Sequence, residues 1–176
     1  MSATNRGAKR NKADFYATPE GAFKPLLAHL PRRVIYWEPA QGDGRLVRWL
    51  RESGRRAYGT DLNAGRDFLK SEARREFIIT NPPFSLAREF IDHARSLAPE
   101  VMMLLRLNFL GSELRREWWI ANEPAAIFVL SQRPKFGKNK HGKLSSDATE
   151  YGWFYWGKRF TGIRHFRSTL CHEKQK

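Results

Sequence analysis

Short apolar runs alternate with segments of helical pattern from Ala17 onward in this chain of 176 residues. The alternation predicts strands at 34–37, 57–60, 77–80, 101–107, 125–130 and 153–156, and helices at 45–52, 86–97 and 112–120. Strands divided by helices are typical of a doubly wound α/β domain with a mostly parallel sheet. The chain is long enough for one substantial core, so a single domain is predicted.

The two ends of the chain are expected to lie outside this domain. Residues 1–13 are polar and basic, which predicts a disordered arm. The folded domain is placed at 14–160, followed by a C-terminal tail at 161–176. Inside the domain, Thr18 is predicted to cap a first helix that begins at Pro19, and Pro25 is expected to keep that helix short or kinked.

The tetrapeptide Asn81-Pro82-Pro83-Phe84 follows an apolar run at 77–79 and so lies at the end of a predicted buried strand. An exocyclic amine on a flat ring is a poor nucleophile, because its lone pair is delocalised into the ring. If the Asn81 side-chain oxygen and the Pro82 carbonyl accept its two hydrogens, the nitrogen moves toward tetrahedral geometry and its lone pair is freed. Phe84 can then stack on the ring. By itself, however, Asn-Pro-Pro is also typical of a simple turn after a strand.

A second group of polar residues and glycines follows the first predicted strand. Glu38 stands just past that strand, and Gly42 and Gly44 open the next helix, where they let a ligand approach the backbone closely. Asp61 ends the following strand about 20 residues later, where an acidic side chain can hold two ribose hydroxyls. Ligands of such sheets lie at the carboxyl ends of strands, so Glu38, Asp61 and Asn81 are predicted to share one crevice.

Charge indicates which nucleoside this crevice could bind. Val47 stands where a dinucleotide site usually has its third glycine. An acid at the first turn suits a ligand with a cationic ammonium group and no phosphate, such as S-adenosylmethionine. Asp67 offers an acceptor for an adenine amine beside the apolar Phe68. A cap or a solvated loop carboxylate is an equally good interpretation of Asp67.

The formal net charge of +14 implies a polyanionic partner, either nucleic acid or an anionic membrane. No apolar stretch approaches the roughly 20 residues that cross a bilayer, and the N-terminus lacks the apolar segment of a secretory signal. The expected partner is therefore nucleic acid, without a membrane, in the cytoplasm. Cys171 and His172 have no second pair of ligands at finger-like spacing, so no metal site is expected.

The order of these motifs resembles that of S-adenosylmethionine-dependent amino-methyltransferases, in particular the small phage- and prophage-type DNA adenine-N6 methyltransferases, from about Asp14 to Trp156. The resemblance implies a class I, Rossmann-like methyltransferase fold and methyl transfer to the N6 amine of adenine in DNA. It implies catalytic roles for Asn81, Pro82, Pro83 and Phe84. It implies cofactor contacts at Tyr16, Thr18, Pro19, Glu38, Ala40, Gly42, Gly44, Asp61, Asp67, Phe68 and Asn81.

Two departures from the family pattern stand out. Glu38 occupies a position where many relatives have aspartate. The large target-recognition insert of sequence-specific relatives is absent, which predicts short or relaxed sequence specificity.

The basic segment at 131–150 is interpreted as a substrate-recognition loop, because relatives place target recognition between the corresponding strands. Relatives also place an aromatic residue of this loop, here Phe136, against a base extruded from the duplex. Substrate contacts are predicted at Phe84, Arg133, Lys135, Phe136, Lys138, Lys140 and Lys143. The alternatives are a solvated charged surface for the basic residues and a loop aromatic covering the core for Phe136.

Two other functions fit the same residues. The tetrapeptide addresses an amine and not the sugar, so an RNA adenine-N6 methyltransferase is one alternative. The other is a nucleic-acid-binding module that keeps the fold without turnover, although several intact residues weigh against it, namely Glu38, Gly42, Gly44, Asp61 and Asn81.

Overall fold

The computed structural model describes residues 16–138, 144–145 and 149–166. The predicted arm at 1–13, together with Lys140 and Lys143, lies outside these residues. The strands are Ile35–Glu38 (β1), Arg56–Gly59 (β2), Phe77–Thr80 (β3), Glu100–Arg106 (β4), Ala126–Leu130 (β5), Gly137–Lys138 (β6), Leu144–Ser145 (β7), Tyr151–Trp156 (β8) and Gly162–Phe166 (β9). The α-helices are Glu20–Leu27 (α1), Arg45–Glu52 (α2), Ala87–Leu97 (α3) and Arg116–Ala121 (α4).

One seven-stranded sheet organises the molecule, in the order β2-β1-β3-β4-β8-β5-β9. Neighbouring strands are parallel except at β8, which runs antiparallel to both β4 and β5. β6 and β7 pair with each other in the basic segment between β5 and β8. This topology confirms the predicted α/β class and the mostly parallel sheet. Within the described residues, no helix is both long and apolar enough to cross a bilayer.

The core has two layers, one on each face of the sheet. Successive side chains of a strand point to opposite faces, so Tyr36 and Phe77 belong to the layer that includes α1 and α2. Their neighbours Trp37 and Ile78 belong to the layer that includes α3 and α4. Burial on both faces explains why the central strands are almost uninterrupted apolar runs.

Most predicted elements form within a residue or two of their expected limits, and the strand at 77–80 and the helix at 45–52 coincide with β3 and α2. The predicted helix at 112–120 is instead a 3₁₀ turn at Glu113–Arg115 followed by the shorter α4. Pro19 has an extended backbone (φ −67°, ψ 142°), so it precedes α1 and Thr18 is not the N-cap. α1 is short, as predicted, and ends two residues after Pro25.

The segment expected as a tail from residue 161 contains β9, which extends the sheet beyond β5. Four of its five residues are exposed, including Ile163 at 70 %. The strand therefore lacks the alternation of buried and exposed side chains that a sequence pattern can predict. Phe166 anchors the strand by stacking on Phe128, with ring centroids 5.3 Å apart. The folded domain therefore extends past its predicted limit at residue 160.

Candidate functional site

The carboxyl ends of β1, β2 and β3 lie side by side because these strands are parallel neighbours. A cleft at this edge is lined by residues from the segment before α1, the end of β1, the loop into α2 and the residue after β3. The lining residues are Tyr16, Ala17, Thr18, Glu38, Ala40, Gln41, Asp43, Arg45, Leu46 and Asn81. The structure thus brings together five of the predicted cofactor contacts, Tyr16, Thr18, Glu38, Ala40 and Asn81.

The loop between β1 and α2 depends on its glycines. Gly42 and Gly44 have left-handed backbones, with φ of 54° and 73°, which glycine adopts without strain. The N–H of Gly42 donates to Asp61 Oδ2 over 2.9 Å, and the N–H of Asn63 donates to Asp61 Oδ1 over 2.9 Å. Asp61 therefore joins the glycine loop to the turn that follows β2.

The Gln41 side chain packs closely against Gly59 at the end of β2, a contact that was not predicted. A Cβ atom at position 59 would lie 2.2 Å from Gln41 Oε1 and 2.7 Å from Gln41 Cβ, so only glycine admits the observed position of Gln41. The backbone N–H of Gln41 also donates to the Thr60 carbonyl over 3.0 Å. A glycine near the end of a predicted strand was the one sequence signal of such a close approach.

Glu38 is the most deeply buried acid of the cleft, with 2 % exposure. Burial raises the pKa of its carboxyl group from the ordinary 4.5 to about 8. The neighbouring Thr80 hydroxyl and the Ala40 N–H, which donates to Glu38 Oε1 over 3.3 Å, lower the pKa, whereas the nearby Asp61 raises it further. Glu38 is consequently protonated at pH 7, and a cation beside it would favour the carboxylate.

Asn81 is held in one orientation by a residue far away in sequence. Its Nδ2 donates to the Tyr16 carbonyl over 2.7 Å, and because a carbonyl only accepts, the amide nitrogen has to face it. Asn81 Oδ1 is buried and has no hydrogen-bond partner among the described residues. A buried unpaired acceptor is costly, so this oxygen is suited to a donor supplied by a ligand.

An aromatic cluster surrounds Phe84. Tyr16 stacks on its ring with centroids 5.5 Å apart, while Phe136 and Tyr151 lie 6.0 and 5.7 Å away. The guanidinium of Arg106 is nearest, 4.7 Å from the ring centroid. Phe84 and Phe136, the two predicted stacking residues, are therefore neighbours, whereas Arg106 and Tyr151 were not predicted.

Asp67 and Phe68 do not line the cleft. Asp67 Oδ1 accepts the Leu69 N–H over 3.1 Å and caps a 3₁₀ turn, which is the alternative role considered for it. The Phe68 ring is 4 % exposed and packs against Trp37 and Phe90 in the core. Pro19 does not line the cleft either, and it is the N-cap residue of α1.

The basic segment is described only in part. Arg133 Nε donates to Glu150 Oε1 over 3.0 Å, and this partner lowers the pKa of the Glu150 carboxyl. Lys135 is exposed, and the backbone of Lys138 forms part of β6. Arg133 therefore joins the two ends of the segment, while Lys135 can meet a partner.

No family model matches the sequence, and no curated protein matches it. Solved structures do resemble the fold. A Pyrococcus horikoshii protein assigned as an RNA methyltransferase aligns with a TM-score of 0.64 and 17 % identity, over 90 % of this chain and 95 % of that one.

Two further structures share this architecture. A Listeria monocytogenes protein assigned to the class I S-adenosylmethionine-dependent methyltransferases aligns with a TM-score of 0.60 and 12 % identity, over 92 % of this chain and 69 % of that one. A Vibrio vulnificus protein assigned as the modification subunit of a type I restriction enzyme aligns with a TM-score of 0.51 and 13 % identity, over 94 % of this chain and 49 % of that one. The chain has the Rossmann-like fold of class I methyltransferases.

Proposed function

We propose that this protein transfers a methyl group from S-adenosylmethionine to the N6 amine of adenine in DNA, with short or relaxed sequence specificity. The buried Oδ1 of Asn81, which has no hydrogen-bond partner among the residues that the structure describes, carries the proposal. It is a hydrogen-bond acceptor held next to the cofactor cleft, and an exocyclic amine is a donor that it can receive. Neither a simple turn nor a binding module that has lost its activity needs a buried acceptor without a hydrogen-bond partner.

The residues of the cleft fit the cofactor. A cationic ligand is suited to the buried Glu38, because its charge offsets the cost of ionising that carboxyl group. The glycine loop admits a ligand close to the backbone, and we assign the ribose hydroxyls to the Asp61 carboxylate beside it. Tyr16, Thr18 and Ala40 complete the cleft wall. Held by these residues, S-adenosylmethionine would supply an electrophilic methyl group on a cationic sulfur, with a neutral thioether as the leaving group.

The protein itself prepares the amine. With Nδ2 of Asn81 held by the Tyr16 carbonyl, Oδ1 accepts one amine hydrogen, and the Pro82 carbonyl accepts the other. The nitrogen lone pair then leaves the plane of the base and becomes available for attack. No general base is needed, because the methylated nitrogen is cationic and acidic and loses its proton to solvent.

The aromatic cluster provides the place for the base. A base inside a duplex cannot reach a cleft at the end of a sheet, so it is extruded or taken from a single strand. Phe84 directly follows the prolines, and Phe136 lies 6.0 Å from it, so both rings can pack against an adenine whose amine reaches Asn81. The basic residues Arg133, Lys135, Lys138, Lys140 and Lys143 are assigned to the phosphates around it.

RNA is the second candidate substrate, since the Pyrococcus horikoshii structure, an assigned RNA methyltransferase, aligns over 90 % of the chain. The proposed contact of Asn81 is with a base amine and not with a sugar, so its geometry is compatible with either nucleic acid. Equimolar DNA and RNA oligonucleotides of the same sequence, offered together with radiolabelled cofactor, separate the two. We expect most of the label in DNA.

Asn81→Ala tests the proposal directly. We expect methyl transfer to fall at least about 100-fold, as when one oriented polar group is removed from an active site. Asn108→Ala is a matched control, because Asn108 is an exposed asparagine that follows the neighbouring strand β4. Calorimetry with S-adenosylmethionine completes the test. Binding of the cofactor by the wild-type protein without transfer to either nucleic acid would reject the proposal.

A further inference from the structure

Arg106 is the last residue of β4 and points into the aromatic cluster. Its backbone is paired with Tyr151 of β8, and its Nε donates to the Tyr151 hydroxyl over 2.9 Å. Its guanidinium lies 4.7 Å from the centroid of Phe84 and 6.0 Å from that of Tyr151. No motif pointed to Arg106, because an arginine at a strand end has no distinguishing sequence pattern.

The Arg106 guanidinium and an extruded base would compete for the ring of Phe84. Both are flat groups that stack on aromatic rings, and Phe84 is the ring proposed to receive the base. A base that stacks on Phe84 where Arg106 now lies has to displace it. Stacking of a whole base covers more of the ring than a guanidinium does, so the exchange favours the base.

The displaced side chain keeps its tether at Tyr151 and its charge. An extruded nucleotide turns about its backbone, so the phosphates that flank it lie at the rim of the site while the base enters. A guanidinium suits such a phosphate, because its donors match two phosphate oxygens at once. We propose that Arg106 covers Phe84 in the free protein and, when the base enters, binds the phosphate next to the extruded nucleotide. This inference rests on the proposed function and makes Arg106 a positioning residue.

The salt dependence of binding measures such a contact. On duplex DNA, log K falls as log salt concentration rises, and each phosphate neutralised by a protein cation makes this slope steeper by about 0.9. Arg106→Gln should therefore reduce the steepness of the slope by about one and weaken binding, raising KM more than it lowers kcat. Arg106→Lys retains the charge and should keep the slope close to that of the wild type.

Arg164 offers a matched control, because its guanidinium also lies over phenylalanine rings, 5.6 Å from those of Phe128 and Phe160, but on the outermost strand β9. Arg164→Gln should leave the slope unchanged. Tyr151→Phe removes the tether without removing the charge and should also preserve the slope. A purely structural role for Arg106 predicts instead that Arg106→Gln lowers the unfolding midpoint and leaves the slope as it was.

The outcomes separate the two proposals. If the wild-type protein methylates DNA and Arg106→Gln has the wild-type salt slope and KM, the role of Arg106 is wrong while the proposed function stands. If the wild-type protein binds cofactor and methylates no nucleic acid, the proposed function fails first. A slope lowered by about one in Arg106→Gln and restored in Arg106→Lys supports the inference.

Discussion

At the scale of single residues, Glu38 shows how burial decides the chemistry of the cleft. Its carboxyl group is removed from water at the end of a central strand, and the hydrogen bond from the Ala40 N–H and the nearby Thr80 hydroxyl do not offset the loss of hydration. The folded protein therefore keeps the proton up to about pH 8, whereas an exposed glutamate loses it near pH 4.5. A cation bound beside Glu38, as proposed for the cofactor, would favour the carboxylate, so its binding would be linked to release of this proton.

Replacing Glu38 by glutamine should flatten the pH dependence of stability. Between the ordinary pKa of 4.5 and the raised pKa of about 8, the folded protein binds one more proton than the unfolded chain, so the free energy of unfolding falls as pH rises. Relative to Glu38→Gln, the wild type should lose roughly 3 kcal/mol between about pH 5 and pH 8, at about 1.4 kcal/mol per pKa unit. Urea unfolding of both proteins across this range measures the difference. Parallel curves for the two proteins would show that Glu38 ionises normally.

At the scale of elements, the position of α1 matters because the chain enters it directly from the cleft. The Trp153 indole N–H donates to the Ala22 carbonyl over 2.7 Å and fixes the helix to the sheet. Arg55, only 6 % exposed, holds the other end: its Nη2 donates to the carbonyls of Leu27 and Leu30. Tyr16, whose carbonyl orients Asn81, lies four residues before the helix that these contacts fix.

Loss of the Arg55 guanidinium should therefore destabilise the fold. In Arg55→Met the carbonyls at the end of α1 lose their donor inside the core, and we expect a loss of about 3 kcal/mol in the free energy of unfolding. Arg55→Lys should recover little, because an ammonium group cannot reproduce the planar fork. The neighbouring Arg56 is exposed, so Arg56→Met should stay within about 0.5 kcal/mol of the wild type. Equal urea midpoints for Arg55→Met and Arg56→Met would contradict this role.

At the scale of the whole molecule, the proposed function assigns the net charge to one ligand and the cleft to another. The net charge of +14, from 32 basic and 18 acidic residues, attracts a polyanion over distance. The cofactor, in contrast, is assigned to a small cleft at the sheet edge, where a buried carboxyl group meets it at close range. Salt screens the first kind of interaction far more than the second.

Salt should separate the two binding events in one preparation. Affinity for a labelled DNA duplex, measured by fluorescence anisotropy, should fall about 10³-fold between roughly 50 and 200 mM salt. Affinity for S-adenosylmethionine, measured by calorimetry in the same buffers, should change less than about threefold, since the groups that meet it are partly buried. DNA binding that persists unchanged at the higher salt concentration would argue against a phosphate-binding surface.

Elements with strong local patterns were predictable. The apolar run of β3 and the glycine-led start of α2 are set by neighbours in sequence, and both formed where expected. β9 was missed because its residues are mostly exposed and only its pairing with β5 makes it a strand. The predicted helix at 112–120 instead divides at Arg115, which ends the 3₁₀ turn and is the N-cap residue of α4.

The amino-acid sequence by itself determined the α/β class and the placement of Glu38, Asp61 and Asn81 after neighbouring parallel strands, because strand length, helix spacing and glycine positions act locally. Tertiary structure decided how those residues behave. The Tyr16 carbonyl reaches Asn81 across 65 positions, Arg106 meets Tyr151 across 45, and Glu38 takes its raised pKa from burial by the assembled sheet. Such contacts depend on strand register and on removal from water, which arise only when distant segments pack together.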